Sequence, residues 1–327
     1  MSNIQPTPRG PKSPASSVAG PTGIEPSRIG AAGSRAAGVL LYAVAFVGVF
    51  LGAQAGGLPG LVVSFLLALV LVGVAARLFI QAKRQAAPNA QTLLASDRRP
   101  PVMYLRSFTA DPTTAKGVTY SSWFTEEEQL VRVMQDVGPL VAIGEPGELL
   151  PSLGATRLYV GTDDWQQVVQ GLLARARLVM LRIGQSPGLY WEFENVVRRA
   201  RPEQVVLLVP QDERVYEEFR IQAQGLLPRP LPILSHTGHR QFFRGSLRAV
   251  ISFGPDWTAT LVDLQTISLP TLRRSPAYPL VPVLQVALGP VMAGLGLPWR
   301  PPRYSLRMIM TIFLLLVMVF CLVLAFL

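Results

Sequence analysis

Polar residues follow the short apolar runs in the central part of the chain, at the points where buried strands would end. The carboxyl ends of parallel strands meet at one edge of a sheet, and α/β proteins bind their ligands there. The residues expected to line this crevice are Arg106, Ser107, Asp111, Gly144, Glu145, Arg182, Gly184, Ser186, Trp191 and Glu192. Arginines in such a crevice suit phosphate groups. We therefore predict a ligand-binding site at this edge of the sheet.

Several of these assignments have a structural alternative. Glu192 could instead be present only because the helix dipole favours an acidic residue at the start of a helix. Trp191 is more typical of a core residue than of one that stacks on a base, and Ser107 and Asp111 could form only a turn or a cap. The sequence leaves these alternatives open.

Two charged residues are ambiguous for another reason. Arg182 interrupts an otherwise apolar strand, so if it is buried it needs a partner, which is either a ligand or an ion pair. Glu145 lies in a Pro/Gly turn, where a polar residue is common without any function.

Other motifs predict little further chemistry. His236 and His239 have the spacing of two zinc ligands, but no cysteine or obvious carboxylate joins them, so we predict no metal site. Residues 184–188 match the G-x-S-x-G pattern of a nucleophile elbow, yet Pro187 lacks the N–H that an oxyanion hole requires. The chain has no dinucleotide-binding glycine loop and no Walker loop. Its single cysteine, Cys321, excludes an intramolecular disulfide.

The elements that would position the site alternate between short apolar runs and amphipathic stretches, which is typical of an α/β domain. Strands are predicted at residues 102–106, 140–143, 178–183, 205–209 and 249–253, and helices at 126–136, 165–177, 190–201 and 212–222. Thr125 and Glu128 have the spacing of a capping box ahead of the first of these helices. Right-handed crossovers then predict a doubly wound, mostly parallel sheet of five strands.

The net charge of +10 lies outside this domain. Residues 100–275 hold 18 Lys+Arg and 18 Asp+Glu, so 12 basic but only 2 acidic residues lie elsewhere. A nucleic-acid-binding protein would carry its positive charge on the folded domain. Here most of the other basic residues flank apolar segments, as in membrane proteins that follow the positive-inside rule. We predict a lipid bilayer as a partner, and no nucleic acid.

Three uncharged runs have the length of a membrane span. Residues 38–57 and 58–76 predict a hairpin with both flanks in the cytoplasm, and residues 308–327 predict a third span. The stretch at 279–298 is broken by prolines and glycines and is predicted to be an interfacial or re-entrant segment. Gly48, Gly52 and Gly56 have the spacing at which small residues let such helices pack, which predicts a homo-oligomer through them.

The chain therefore divides into six predicted parts. These are a disordered Pro/Ser/Gly-rich tail at 1–36, a transmembrane hairpin at 37–80, a basic linker at 81–100, a cytosolic α/β domain at 101–275, a Pro-rich interfacial segment at 276–307 and a C-terminal transmembrane helix at 308–327. This organisation predicts a multi-pass protein of the inner (plasma) membrane, with the N-terminus and the α/β domain in the cytoplasm.

Two segments resemble TIR domains. Residues 102–111, VMYLRSFTAD, are similar to the first TIR box, in which an apolar strand runs into Ser-Phe and then an acidic residue. Residues 175–196, RARLVMLRIGQSPGLYWEFENV, resemble the later TIR segment, in which a strand ends in a serine-containing loop and a tryptophan precedes a glutamate on the next helix. The resemblance covers residues 101–209, about a third of the chain.

The resemblance implies a flavodoxin-like (TIR-like) sheet and an activity. In enzymatic TIR domains the glutamate that Glu192 matches is needed to cleave the N-glycosidic bond of NAD, and nucleoside deoxyribosyltransferases keep a glutamate in a similar place. The resemblance therefore implies that Glu192 is the catalytic carboxylate, with Glu194 as a competing assignment. Nicotinamide leaves as a neutral molecule, so one carboxylate beside the ribose can stabilise the oxocarbenium-like transition state. The implied activity is hydrolysis of NAD or a related nucleotide, with NAD as substrate and no cofactor. The alternatives are a non-enzymatic signalling or scaffold module and a nucleotide sensor.

Overall fold

The centre of the protein is a sheet. In the computed structural model, which describes residues 28–85, 90–107, 124–144, 155–158, 165–234, 246–268 and 278–299, seven strands are present. They are β1 (Val102–Leu105), β2 (Leu140–Ile143), β3 (Thr156–Leu158), β4 (Leu178–Arg182), β5 (Val205–Pro210), β6 (Leu247–Phe253) and β7 (Ala259–Asp263). Their order is β3-β2-β1-β4-β5-β6-β7. The first five in this order are parallel, whereas β6 and β7 are each antiparallel to the preceding strand.

The prediction of an α/β domain is confirmed, and each of the five predicted strands coincides with an observed one. The sheet is nevertheless mixed and has seven strands, because β3 and β7 form its two edges. β3 has only three residues, and β7 is incompletely buried along its length. Neither has the continuous buried run by which the central strands are recognised in the sequence.

The helices are α1 (Arg28–Gln85), α2 (Ala90–Ser96), α3 (Glu126–Met134), α4 (Trp165–Leu173), α5 (Pro187–Arg199), α6 (Glu213–Ala223) and α7 (Leu280–Gly294). The predicted capping box of α3 is present, with both Thr125 and Glu128 bonded as the motif requires. α5 begins three residues earlier than predicted. Its cap is Ser186, whose hydroxyl accepts from the Leu189 N–H, and Pro187 occupies its first position.

Helices cover both faces of the sheet. On one face α4, α5 and α6 pack through residues such as Leu172, Phe193 and Phe219. On the other face α3 and α7 pack through residues such as Leu130 and Leu284. The central strands are therefore buried on both sides, which accounts for their continuous apolar sequences.

The segment predicted to lie at a bilayer interface contains α7, and this helix belongs to the α/β domain. Eight of its residues are buried, and its first N–H, that of Leu280, donates to the side chain of Gln129 on α3. After the helix, the Trp299 indole N–H donates to the Gln285 carbonyl. The hydrophobic core therefore extends through α7, past residue 275, where the sequence places the end of the domain. An interfacial role for the exposed side of α7, around Val286, stays a prediction.

The helical segment α1 folds back on itself. Tyr42 and Phe79 would lie about 55 Å apart on a straight helix, yet their ring centroids are 5.9 Å apart. A Cβ at Gly52 would overlap the Ser64 hydroxyl oxygen, so the two arms meet closely there. These contacts form the hairpin that the sequence predicts. Its arms contain two stretches long and apolar enough to cross a membrane, Ala32–Val49 and Val62–Phe79.

The hairpin changes the interpretation of the predicted oligomerisation glycines. Gly52 contacts the other arm of its own hairpin, whereas a Cβ at Gly48 would meet nothing within 4 Å. Oligomerisation through Gly48, Gly52 and Gly56 stays a prediction, and Gly52 is already used within the chain.

The remaining predicted parts are only partly described. The helix begins at Arg28, inside the tail that was predicted to be disordered to residue 36, and α2 lies inside the predicted basic linker. Residues 1–27 and the predicted span at 308–327 lie outside the described residues.

Candidate functional site

The candidate site begins where β1 and β4 end. Leu105 pairs with Leu181 in the parallel register, so the next residues, Arg106 and Arg182, lie side by side at the carboxyl edge. Side chains alternate along a strand, and both arginines point to the face that α3 covers. Ser107 and Gly184 follow these two arginines in the chain. A Cβ added at Gly184 would lie 3.0 Å from Ser107 Cβ. The edge is therefore tightly packed.

The first turn of α3 supplies a partner for each arginine. Arg106 Nε lies 2.7 Å from Glu127 Oε1, and Arg182 Nε lies 2.9 Å from Glu126 Oε1. Glu126 is 0% exposed and Glu127 is 1% exposed, so both ion pairs are buried. Both pairs lie at a helix N-terminus, where the helix dipole also favours a carboxylate. These two adjacent glutamates anchor α3 to two adjacent strands.

Glu126 has further hydrogen-bonding neighbours besides Arg182. It also accepts a hydrogen bond from the Ser246 hydroxyl, and the Tyr104 hydroxyl lies 3.4 Å from its Oε1. Burial raises the pKa of the Tyr104 phenol well above its ordinary value, and the neighbouring Glu126 adds to this, so Tyr104 keeps its proton and can donate. Glu126 therefore joins β1, β4, α3 and the segment that precedes β6.

Glu192 lies on the other side of this edge, on α5, and it is only 6% exposed. Burial raises the pKa of its carboxyl from the ordinary 4.5 to about 8, while the positive charge of Arg106 acts in the opposite direction. Because α5 begins at Pro187, Glu192 is its sixth residue and lies in the second turn. The dipole at the helix start, which was the structural alternative for Glu192, fades within the first turn and does not explain this position.

Glu194 differs from Glu192 in its exposure and in having an ion-pair partner. Its side chain is 33% exposed, and its Oε1 lies 2.5 Å from Arg198 Nη2 one turn later on the same helix. An exposed pair of this kind is ordinary on a helix surface. Of the two competing carboxylates, Glu192 is the one held at the edge of the sheet.

Three further predicted residues lie near this edge in other roles. Ser186 caps α5, as described above, and Gly144 donates its N–H to the carbonyl of Leu158, the last residue of the edge strand β3. Trp191 contacts Trp165 with ring centroids 4.7 Å apart and packs against the core, which agrees with its structural alternative. We note that Tyr190 is likewise stacked, on Phe219.

The predicted phosphate-binding role of Arg106 and Arg182 fits this geometry poorly. Each guanidinium is engaged with a glutamate, so a phosphate would have to compete with a buried ion pair. The sequence had already indicated an ion pair as one of two explanations for Arg182. Asp111 and Glu145 lie outside the described residues, as do His236 and His239.

The sequence interpretation missed Glu126 and Glu127. Three consecutive glutamates start α3, and any of them is explained by capping and the helix dipole. The signal that could have singled them out is the pair of arginines at two strand ends, since each requires a buried partner. Within the residues that the structure describes, no group of three His, Cys, Asp or Glu side chains is arranged to hold a metal ion.

Comparisons of the chain with protein-family models, with curated proteins and with solved structures find no match. The function is therefore inferred from the residues of the site and their surroundings.

Proposed function

We propose that this protein is a membrane-anchored enzyme whose TIR-like domain hydrolyses the N-glycosidic bond of NAD or a related nucleotide. The observation that carries the proposal is the carboxyl group of Glu192, which is buried at the carboxyl edge of the sheet with its pKa raised to about 8. Burying a carboxyl without a directly paired cation costs free energy, and such costs concentrate at functional sites.

The chemistry requires a carboxylate that meets positive charge. When the glycosidic bond of NAD breaks, the bonding electrons leave with nicotinamide and the ribose carbon becomes oxocarbenium-like. Water then attacks that carbon and loses a proton, which gives ADP-ribose. Glu192 in its ionised form is the group that would stabilise the positive charge during this step.

The raised pKa of Glu192 favours a cationic substrate. At neutral pH the empty site holds the carboxyl largely in its neutral form. A bound pyridinium ring beside it lowers the pKa, because an opposite charge nearby favours the ionised carboxylate. Substrate binding would thus generate the catalytic carboxylate and release a proton.

The order of the strands is compatible with the flavodoxin-like interpretation. Considered without the edge strands β3 and β7, the sheet has the order β2-β1-β4-β5-β6, which is the flavodoxin-like order 2-1-3-4-5. The switch point of that order lies between β1 and β4, where Arg106, Ser107 and Gly184 follow the strands. The last strand departs from the pattern because β6 is antiparallel.

The membrane part of the proposal depends on α1. Large apolar side chains along both arms are exposed, for example Leu40 at 64% and Val63 at 68%, as lipid-facing side chains would be. Basic residues flank the hairpin on both sides, which favours a cytoplasmic location for both of its ends. We propose a multi-pass protein of the plasma membrane with the α/β domain in the cytoplasm.

The test uses the full chain reconstituted in liposomes and incubated with NAD. We expect free nicotinamide to be released, and Glu192→Gln to reduce the rate at least ~100-fold. Glu194→Gln is the matched control on the same helix and should keep the rate of the unmodified chain. Equal loss in both variants, or an unchanged rate in Glu192→Gln, contradicts the assignment of Glu192.

Two other results would select the alternatives. NAD binding without nicotinamide release indicates a nucleotide sensor. Neither binding nor release, in a chain that remains folded, indicates the signalling or scaffold module.

A further inference from the structure

The α/β domain is neutral in total, but its charges are divided between the two edges of the sheet. Residues 97–101, 174–177 and 198–204 precede β1, β4 and β5 and include the end of α5, so they lie at the amino edge. These three segments contain only two acidic residues, Asp97 and Glu203, and seven arginines, which are Arg98, Arg99, Arg175, Arg177, Arg198, Arg199 and Arg201. The carboxyl edge, in contrast, carries the acidic starts of α3 and α6.

The three arginine-rich segments lie side by side. In the sheet β4 lies between β1 and β5, and the three strands begin within one residue of the same level, at Val102, Leu178 and Val205. The Arg177 N–H donates to the Pro101 carbonyl, with an N–O distance of 2.9 Å, which joins the first two segments. Neighbouring strands are only about 4.8 Å apart. The segments therefore form one surface, which we name the basic edge.

Most of the charge of the basic edge is accessible. Arg99 pairs with Asp97 and Arg198 with Glu194, although the Arg198 side chain is still 70% exposed. Among the residues that the structure describes, no carboxylate pairs with the other exposed arginines of these segments, which are Arg98, Arg175, Arg199 and Arg201. A concentrated charge of one sign attracts partners of the opposite sign. The basic edge therefore fits an anionic surface.

The chain connects the basic edge to the hairpin. α1 ends at Gln85 and α2 begins at Ala90, a connection that spans at most about 18 Å. Leu94 of α2 packs against the core of the domain, and residues 97–101 then lead directly into β1. The domain is therefore attached to the hairpin at its amino edge.

The attached end of the hairpin is basic as well. Gly38 lies against Phe79, so the outer ends of the two arms meet there. The basic residues of α1 near this end are Arg35, Arg77, Lys83 and Arg84. Two basic surfaces held close together repel each other unless negative charge lies beside both. The headgroups of anionic phospholipids at a cytoplasmic membrane surface supply that charge.

We propose that the basic edge docks on anionic phospholipid headgroups. The domain then lies with the amino ends of its parallel strands towards the bilayer, and the carboxyl edge with Glu192 faces away from it. In this orientation the candidate site is open to a soluble nucleotide. The proposal rests on the membrane location proposed above and is independent of NAD hydrolysis.

The test measures how close each end of α4 lies to the headgroups. The full chain, with Cys321→Ser, carries a donor dye at Ala174→Cys beside the basic edge or at Gln166→Cys in the first turn of α4, both of which are exposed positions. The chain is reconstituted in vesicles that contain headgroup-labelled acceptor lipid. With phosphatidylglycerol present we expect more energy transfer from position 174 than from 166. The difference should disappear in phosphatidylcholine alone and at ~1 M salt, where the screening length is only ~3 Å.

Two charge reversals provide a matched comparison. Arg201→Glu changes the basic edge by two charges, and Arg214→Glu makes the same change at the start of α6, near the carboxyl edge. Both arginines are exposed. One arginine near an anionic surface contributes about fivefold to binding. We therefore expect Arg201→Glu to reduce the ratio of docked to undocked chain at least ~10-fold. Arg214→Glu should leave that ratio unchanged.

Equal transfer from the two dye positions in anionic vesicles, or equal loss in the two charge variants, overturns the proposal. Binding of added RNA that Arg201→Glu abolishes, with no response to phosphatidylglycerol, also overturns it and indicates a nucleic-acid partner. Because the measurement uses no NAD, a docked chain that releases no nicotinamide contradicts only the proposed activity. A chain that alkaline carbonate extracts from the vesicles contradicts the membrane location and the docking together.

Discussion

Buried glutamates lie on both sides of the same sheet edge, but their bonding partners differ. On the α3 side, Glu126 and Glu127 each bind an arginine. On the α5 side, Glu192 is similarly buried, but among the residues that the structure describes no cation is bonded to it, and burial raises its pKa to about 8. The three side chains have the same chemistry but differ in their partners and in their distance from a helix N-terminus.

The comparison separates the groups that hold the fold from the group available for chemistry. A buried carboxylate with a bonded arginine is satisfied, and removing one partner should mainly affect stability. A buried carboxyl that is held neutral can change its charge when a substrate arrives. The α3 side therefore fixes the geometry of the edge, and the α5 side presents the reactive group.

The largest effect should follow from breaking a pair on the α3 side. Arg182→Ala leaves Glu126 buried without its arginine and should lower the free energy of unfolding by about 3–5 kcal/mol, measured by chemical denaturation of the full chain. The control is Arg198→Ala, which breaks the exposed pair with Glu194 on α5. Similar small losses in both variants would contradict a structural role for the α3 side.

For Glu192 we expect substitution to increase the free energy of unfolding, relative to the unmodified chain, as the pH rises. Because its folded-state pKa of about 8 exceeds the ordinary 4.5, its contribution to stability is complete below pH 4.5 and is lost as the pH rises to about 8. Gln carries no charge at any pH. The unfolding free energy of Glu192→Gln relative to the unmodified chain should therefore increase by about 1.4 kcal/mol per pH unit in this window. Parallel pH profiles for the two chains would contradict the raised pKa.

A smaller loss in the free energy of unfolding should follow from disturbing the packing at Gly184, between the two sides of the edge. A Cβ at Gly184 would lie 3.0 Å from Ser107 Cβ and 3.4 Å from Leu189 Cδ2. Gly184→Ala should therefore lower the free energy of unfolding by about 1–2 kcal/mol. Gly188→Ala is the control, because its Cβ would meet only Trp165, at 4.0 Å. An equal response of the two variants would mean that the contact of Gly184 with Ser107 is not restrictive.

The smallest effect should be that of Glu194→Gln, which removes an exposed pair on the same helix as Glu192. We expect a loss of about 0.5 kcal/mol or less in unfolding free energy, with the pH dependence of stability unchanged. If this variant instead abolished that pH dependence, the buried carboxyl that titrates would not be Glu192.

The fold could be predicted where local sequence decides it. β1, β2, β4, β5 and β6 are recognisable because apolar runs mark strands buried between two layers of helices. The edge strands β3 and β7 lack this pattern. The position of α7 was not predictable from its apolar, proline-containing sequence, because it depends on packing against α3, more than a hundred residues earlier in the chain.

The site could be predicted only in part for the same reason. Glu192, Ser107 and Gly184 were identified because polar residues after strands gather at one edge. The partners of the two arginines were not identified, since a glutamate at a helix start is favoured by local forces alone. Only the register between β1 and β4 shows that two consecutive glutamates face two adjacent arginines.

The most direct measurement of the central claim is an infrared titration of the unmodified full chain, with the Glu192 band assigned by Glu192→Gln. A buried carboxyl without a bonded cation should remain protonated at neutral pH and titrate near pH 8. A midpoint near the ordinary value of 4.5 would show that Glu192 is ionised in the empty protein, and would contradict the distinction between the two sides of the edge.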